Sequence, residues 1–322
     1  GGGCRASNYI HMLRKALAKA GYGYIPVLSM NLSGLEKESK FKWSIPTLRK
    51  CIAVLAYGDI LMLMDNQVRP YELNAGDSAA VVTKWVDRLC SDFDAGRSLS
   101  TREVRENMSQ IAADFAAVKI NRVPKVKTGI VGEIYVKYSP LANNDLAQFL
   151  FDQGCEVMSP GIMGFMLFKV DNRMEDIKLY GGSKLKFSVV KILFDYLNRI
   201  EQILIDSVSA HPGFIEPMPY SELKQLVVGI IGWGSKMGEG WLLTAEMIEL
   251  IKEGYSNIIC AQPFGCLPNH IVGKGMVRKV RTIYPDANIV PIDYDPGATR
   301  VNQENRIKLM LAIAKERVEG LN

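Results

Sequence analysis

Histidine is scarce in this chain, with three among 322 residues. That scarcity argues against a histidine-rich metal centre. Long apolar runs are missing as well. The longest candidate, residues 52–64, is interrupted by Gly58 and Asp59, and it falls short of the roughly 18 residues that a bilayer-spanning helix requires. Arg5, His11, Arg14 and Lys15 break up the first stretch, so no signal peptide is expected and a cytoplasmic location follows as the expectation. Neither sign of charge dominates: 39 basic residues face 34 acidic ones, for a net +5. Basic residues gather at 119–127 and 274–281, neither run dense enough for a nucleic-acid arm.

Cysteine is sparse too, with six residues at 4, 51, 90, 155, 260 and 266. An even count suits disulfides in a small secreted protein, but this chain is large and lacks that density. The six are expected to be thiols or metal ligands. The opening Gly1, Gly2, Gly3, Cys4 has no initiator Met, which reads as a fragment boundary or a processing product.

Hydrophobic residues make up 48% of the chain and charged ones 23%, an ordinary globular balance. Ile10, Leu13 and Leu17 recur at helical spacing and predict a helix over 7–20, with Gly21 and Gly23 ending it and a strand at 24–30. Helices are predicted at 45–63, 75–90 and 101–118, the last with Thr101 as its cap and Glu103 and Glu106 near its start. A strand from Val126 runs into a loop holding Gly132 and Glu133; a helix at 144–153, a strand at 156–158 and a long helix at 183–208 follow. The last third alternates helix 243–253, strand 257–261, loop 262–268, helix 271–284, strand 287–292 and helix 301–318. This order predicts an α/β protein with doubly wound, mostly parallel sheets in two domains and a helical insertion. The boundary is expected at 122/123: an α/β segment with the helical region at 1–122, lacking its N-terminal part, and an α/β domain with the second cysteine loop at 123–322.

The segment 259–270 carries the most chemistry. A strand delivers Cys260, a loop stiffened by Pro263 and Pro268 presents Cys266, and His270 follows at the start of a helix. Loops after parallel strands are where α/β proteins place ligands, and a helix start favours a thiolate or an anionic cluster. Cys4 also sits in a Gly-rich turn before a helix. Metal binding and inert buried thiols both remain open on these residues alone, since no zinc-ribbon or ferredoxin spacing is present. Cys51 and Cys90 fall among apolar residues on helices and are expected in the core, as is Cys155 at a helix–strand turn. Glu133 and Glu239 lie in Gly-flanked loops, suited to capping or to contact with a substrate or partner. His211 precedes Pro212 and Gly213 in a loop. Residues 232–240 look like a phosphate loop but lack the Gly-Lys-Ser/Thr order. The basic run at 274–281 is either solvated or a pocket for the phosphates of a nucleotide-like ligand such as coenzyme A.

Residues 2–9 (GGCRASNY), 238–244 (GEGWLLT), 262–270 (QPFGCLPNH) and 292–297 (IDYDPG), with Asn302 and Gln303, resemble the C-terminal region of large acyl-CoA dehydratase activase-related proteins, of the 2-hydroxyacyl-CoA dehydratase/activase group. The resemblance spans nearly the whole chain. It implies an iron–sulfur cluster, [4Fe–4S] or related, with Cys4 and Cys266 as metal ligands and Cys260 as a possible third cofactor-binding residue. Four ligands are common, so an open iron position or a cysteine from elsewhere would complete the set. It further implies low-potential electron transfer to the dehydration of an acyl-CoA or a similar reduction, with an ATPase activase module or a dehydratase subunit as partner and acyl-CoA as a candidate ligand. Charge and hydropathy predict neither a nucleic-acid nor a membrane partner. The alternatives are an α/β scaffold that docks such a partner without a cluster, and a thiol enzyme with Cys266 as nucleophile and His270 as base.

Overall fold

The structure is a computed structural model and describes residues 8–27 and 44–320. The chain divides into two compact units, Gly1–Arg49 and Lys50–Asn322. In the first, α1 (Tyr9–Lys19) carries no buried residue, and residues 24–27 form a turn and an irregular stretch rather than the start of a strand. The remainder of that expected strand, and Cys4, lie outside the described residues. The expected boundary at 122/123 falls inside the second unit.

The second unit takes in α2 (Ile45–Val68) from Lys50 onward, then α3 (Asp77–Asp94) and α4 (Thr101–Ala116). Ser100, not Thr101, caps α4: its side chain accepts from the Glu103 amide while the Glu103 carboxylate takes the Ser100 amide. This reciprocal pair satisfies two otherwise orphaned donors. Helix α3 buries only Ser78, Trp85 and Leu89, so Cys90, one position beyond that stripe, is exposed and not in the core as expected; Cys51 is half-buried.

Four strands follow: β1 (Lys127–Gly132), β2 (Glu156–Met158), β3 (Asn257–Pro263) and β4 (Asn288–Tyr294). They form one all-parallel sheet in the order β2-β1-β3-β4. Between β1 and β2 run three short helices, α5 (Ile134–Tyr138), α6 (Pro140–Asn143) and α7 (Leu146–Asp152). Helices α8 (Ile162–Tyr180), α9 (Lys184–Ser209), α10 (Tyr220–Gln225) and α11 (Trp241–Lys252) join β2 to β3. A π-helical turn, Asn269–Gly273, and α12 (Val277–Ile283) lead to β4, and α13 (Arg300–Glu319) ends the chain. Pro291, which cannot donate to a ladder, is tolerated because β4 is an edge strand. No described helix is long and apolar enough to cross a membrane.

The two faces of the sheet are filled differently. Ile130, Val157, Ile259, Ala261 and Ile292 pack with Val136, Leu146 and Leu150 and with Ile307, Met310 and Leu311 of α13. Cys155 lies in this core. On the other face α11 presses so close that a methyl group on Gly129 would lie 2.7 Å from a Leu250 methyl.

Buried polar contacts tie the helices at 50–116 to the sheet. Asp59 of α2 accepts from the amides of Ile162 and Met163, both at 2.8 Å, and so caps α8 from another helix. Burial lifts its carboxyl to about 6. At the start of β2, buried Glu156 accepts from the hydroxyls of Tyr71 and Tyr255, both at 2.5 Å. These reaches across the chain explain why residues 50–122 belong with the sheet.

The tightest backbone contact lies at the ends of β1 and β3. Gly132 has φ of 143°, and a Cβ there would stand 1.8 Å from the carbonyl oxygen of Ala261. Only glycine permits this approach. Gly132→Ala is expected to cost about 3 kcal/mol, read as a lowered urea midpoint at unchanged slope; an unchanged midpoint would show that the contact is slack.

Candidate functional site

The strand order reverses direction at β1 and β3, and the crevice beyond their carboxyl ends is where open α/β sheets bind ligands. Three segments meet there. Leaving β1, the Glu133 amide donates to the Ala261 carbonyl at 3.0 Å, and its carboxylate caps α5 by accepting from the Val136 amide at 2.9 Å. Leaving β3, the chain turns sharply: the Cys266 amide donates to Pro263 at 3.1 Å, and the His270 amide to the Cys266 carbonyl at 3.0 Å. The third segment is the loop before α11, which meets the second where Gly238 packs on Pro268. It places Glu239 to accept from the Ile134 amide at 3.3 Å.

Asn269 joins the pieces. It is fully buried, and its Nδ2 donates both to Glu239 at 2.8 Å and to the Cys266 Sγ at 3.3 Å. Its Oδ1 has no partner. A buried amide bridging a carboxylate and a thiol fixes both, and an unpaired buried acceptor is costly enough to call for explanation. Within the 262–270 motif Asn269 has no role that the sequence alone assigns. The available signal was a polar amide three residues after Cys266 at a helix start, where Asn is usual for capping.

The electrostatics oppose a free thiolate. Partial burial pushes the Cys266 thiol up; the Asn269 donors oppose this, and the carboxylates of Glu239 and Glu133 add to it. Burial likewise raises Glu133, with Glu239 contributing. Nor does His270 serve Cys266 as a base. Its Nδ1 lies 2.9 Å from the Cys266 carbonyl oxygen, to which it donates in the matching tautomer, and its Nε2 faces Asp293 at 3.7 Å. Asp293 in turn accepts from Gln262 Nε2 at 2.8 Å. The thiol–imidazole contact of a cysteine nucleophile is therefore not made. At this site Glu133 and Glu239 hold backbone and amide donors, the capping chemistry of the two uses open to them.

The predicted cysteines part company. Cys266 is half-buried on the crevice loop. Cys260 is fully buried within β3, where a Cβ on Gly273 would come within 2.9 Å of its sulfur, and burial drives its thiol far up. Cys4 lies outside the described residues. Among the described residues, no three His, Cys, Asp or Glu side chains are grouped so as to hold a metal ion. An all-cysteine cluster site does not fit the described residues by themselves, which offer one half-open thiol in this crevice.

No family model, curated protein or solved structure matches this chain.

Removing the bridging amide should be felt across all three segments. Asn269→Ala is expected to lower stability by about 2 kcal/mol, because Glu239 loses a buried donor. Asn269→Asp should be worse at pH 8 than at pH 5, since it sets a second carboxylate against Glu239. Urea unfolding at the two pH values measures both; equal stability of Asn269→Asp at either pH would refute the proximity argument.

Proposed function

We propose that this chain is an iron–sulfur protein related to 2-hydroxyacyl-CoA dehydratase subunits and their activases, with Cys266 as a cluster ligand. The observation that carries this reading is the position of Cys266: a half-buried thiol in the crevice beyond β1 and β3, its sulfur already accepting from the Asn269 amide. Hydrogen bonds to ligand sulfurs tune iron–sulfur centres. Metal coordination would also deprotonate a thiol that its surroundings otherwise keep neutral. Because the described residues supply one such thiol, the reading assigns the remaining ligands to Cys4 and to groups from a partner, an ATPase activase module or a dehydratase subunit. Within it, the protein takes part in low-potential electron transfer to an acyl-CoA dehydration or a similar reduction, in the cytoplasm.

The same reading takes the sheet as doubly wound. Helices α5–α7 and α13 cover one face and α11 the other, and the order β2-β1-β3-β4 turns at the crevice.

A second reading, a scaffold that docks a partner without a cluster, is favoured by the exposed apolar side chains around Cys266. Phe264, Leu267 and Ile271 are 63%, 70% and 54% exposed, more than isolated surface apolar residues require.

Iron and acid-labile sulfide in anaerobically purified protein separate the two. Both should be present in the parent protein and fall by half or more in Cys266→Ser. Neither metal nor sulfide in the parent, even after reconstitution, would overturn the cluster reading and leave the scaffold.

A further inference from the structure

Helices α8 and α9 form a hairpin whose far end stands clear of the core: none of residues 175–196 is buried. Gly181, with φ of 78°, makes the turn, and Ser183 caps α9 by accepting from the Lys186 amide at 3.4 Å. Five large apolar side chains occupy this end. Leu179 and Tyr180 close α8, and Leu185, Val189 and Ile192 open α9, each 60% exposed or more. The last three are spaced by four and three, so they form one stripe along the helix. Phe187, Val190 and Phe194 take the opposite side and are half-buried. The exposed stripe is therefore a second apolar face, apart from the one turned inward. It exceeds what scattered surface apolar residues require.

The charge on this end has one sign. Residues 177–194 hold four lysines and no Asp, Glu or Arg. The carboxylates that flank the stretch are already held: Glu175 by Lys178 and Lys224, Asp176 by Lys236, and Asp195 by Lys191. Lys184 and Lys186 have no carboxylate partner among the described residues. Lys184 and Lys191 lie on one side of the apolar stripe and Lys186 on the other, roughly 90–130° round the helix from it. An apolar stripe bordered on both sides by lysine is the pattern of a helix that lies in a lipid–water interface.

We propose that the tip of the α8–α9 hairpin docks on an anionic lipid surface. Leu185, Val189 and Ile192 enter the boundary between headgroups and acyl chains, with Leu179 and Tyr180 beside them. The lysine stems extend along that boundary and place their ammonium groups among the lipid phosphates and carboxylates. Two features favour lipid over a protein partner. Lysine is depleted at protein interfaces, where arginine and aromatic anchors fill pockets, and this tip carries lysine alone. The end of a two-helix hairpin is also convex, which suits a fluid planar surface. Such docking needs no spanning segment. Whole-chain charge and span length, which predict no membrane partner, are blind to a local surface of this kind.

Flotation of the intact chain with lipid vesicles tests this. Binding to phosphatidylcholine vesicles containing about 30% phosphatidylserine should exceed binding to phosphatidylcholine alone by at least about tenfold, and should weaken as salt rises from about 0.1 M to about 0.5 M. Leu185→Ser with Ile192→Ser, and separately Lys184→Glu with Lys186→Glu, should each lower binding to the anionic vesicles by at least about tenfold. These are exposed positions, so the urea midpoint should hardly move. Leu309→Ser, an equally exposed apolar site on α13, should leave binding unchanged. A parent that does not float with the anionic vesicles, or binding that survives in either double variant, would overturn the proposal. So would a parent that ignores vesicles and sediments as a dimer lost in the Leu185→Ser, Ile192→Ser variant, which would assign the stripe to a second copy. If a double variant does not fold, the parent decides: equal binding to both kinds of vesicle refutes the anionic surface.

Discussion

The closest constraint in this protein is the contact of Gly132 with Ala261, where two parallel strands end side by side with no space for a side chain between them. It fixes the register Gly132↔Ala261 and, with it, the points at which two loops leave the sheet. Glu133 departs from one strand while its amide is bound to the other. The turn bearing Cys266 begins two residues past Ala261. Because side chains alternate in a strand, a slip of one residue would move buried Gln262 into the apolar core where Ala261 now packs, away from Asp293, and displace both loops. The crevice is therefore a consequence of backbone packing before any of its side chains is considered.

Buried polar groups then fasten the remainder. Asp59 caps a helix distant in sequence, Glu156 gathers two tyrosine hydroxyls, and Glu239 takes a backbone amide and the Asn269 amide. Each is a carboxyl group removed from water and repaid with donors, the condition under which buried charge is tolerated. Lys137 and Glu246 meet as a buried pair at 3.2 Å, in which burial pushes the Glu246 carboxyl up and the Lys137 charge opposes it.

Much of the sheet could be read from the sequence because parallel strands buried on both faces are short apolar runs bounded by turns. Asn257 to Ala261 and Glu156 to Met158 are of that kind, and both are strands. Helix α8 was not legible. Its buried residues include Asp171 and Asn172 beside Leu167, Phe168 and Met174, so polar and apolar residues share the inner side and the helical period is blurred. The predicted helix 271–284 is instead a π-helical turn, a 3₁₀ turn and then α12. A π-helical turn of this sort leaves no signature in apolar spacing. At the site, the loop and its cysteine were legible from Pro, Gly and Cys placement, but the Asn269 bridge was not, because it depends on Glu239, thirty residues away in sequence. The attachment of residues 50–122 to the sheet was hidden for a similar reason: Asp59 and Tyr71 find their partners at Ile162 and Glu156, far along the chain.

The β1–β3 contact sets the environment of Cys266. Its most direct test is the pH dependence of Cys266 alkylation, followed on the Cys266 peptide by mass spectrometry, in the parent and in Gly132→Ala under conditions where both are folded. The parent thiol should titrate above the range of an ordinary cysteine and the variant should shift back towards it, as the thiol loses burial and Glu239 and Glu133 move away. Identical profiles in the two proteins would contradict it.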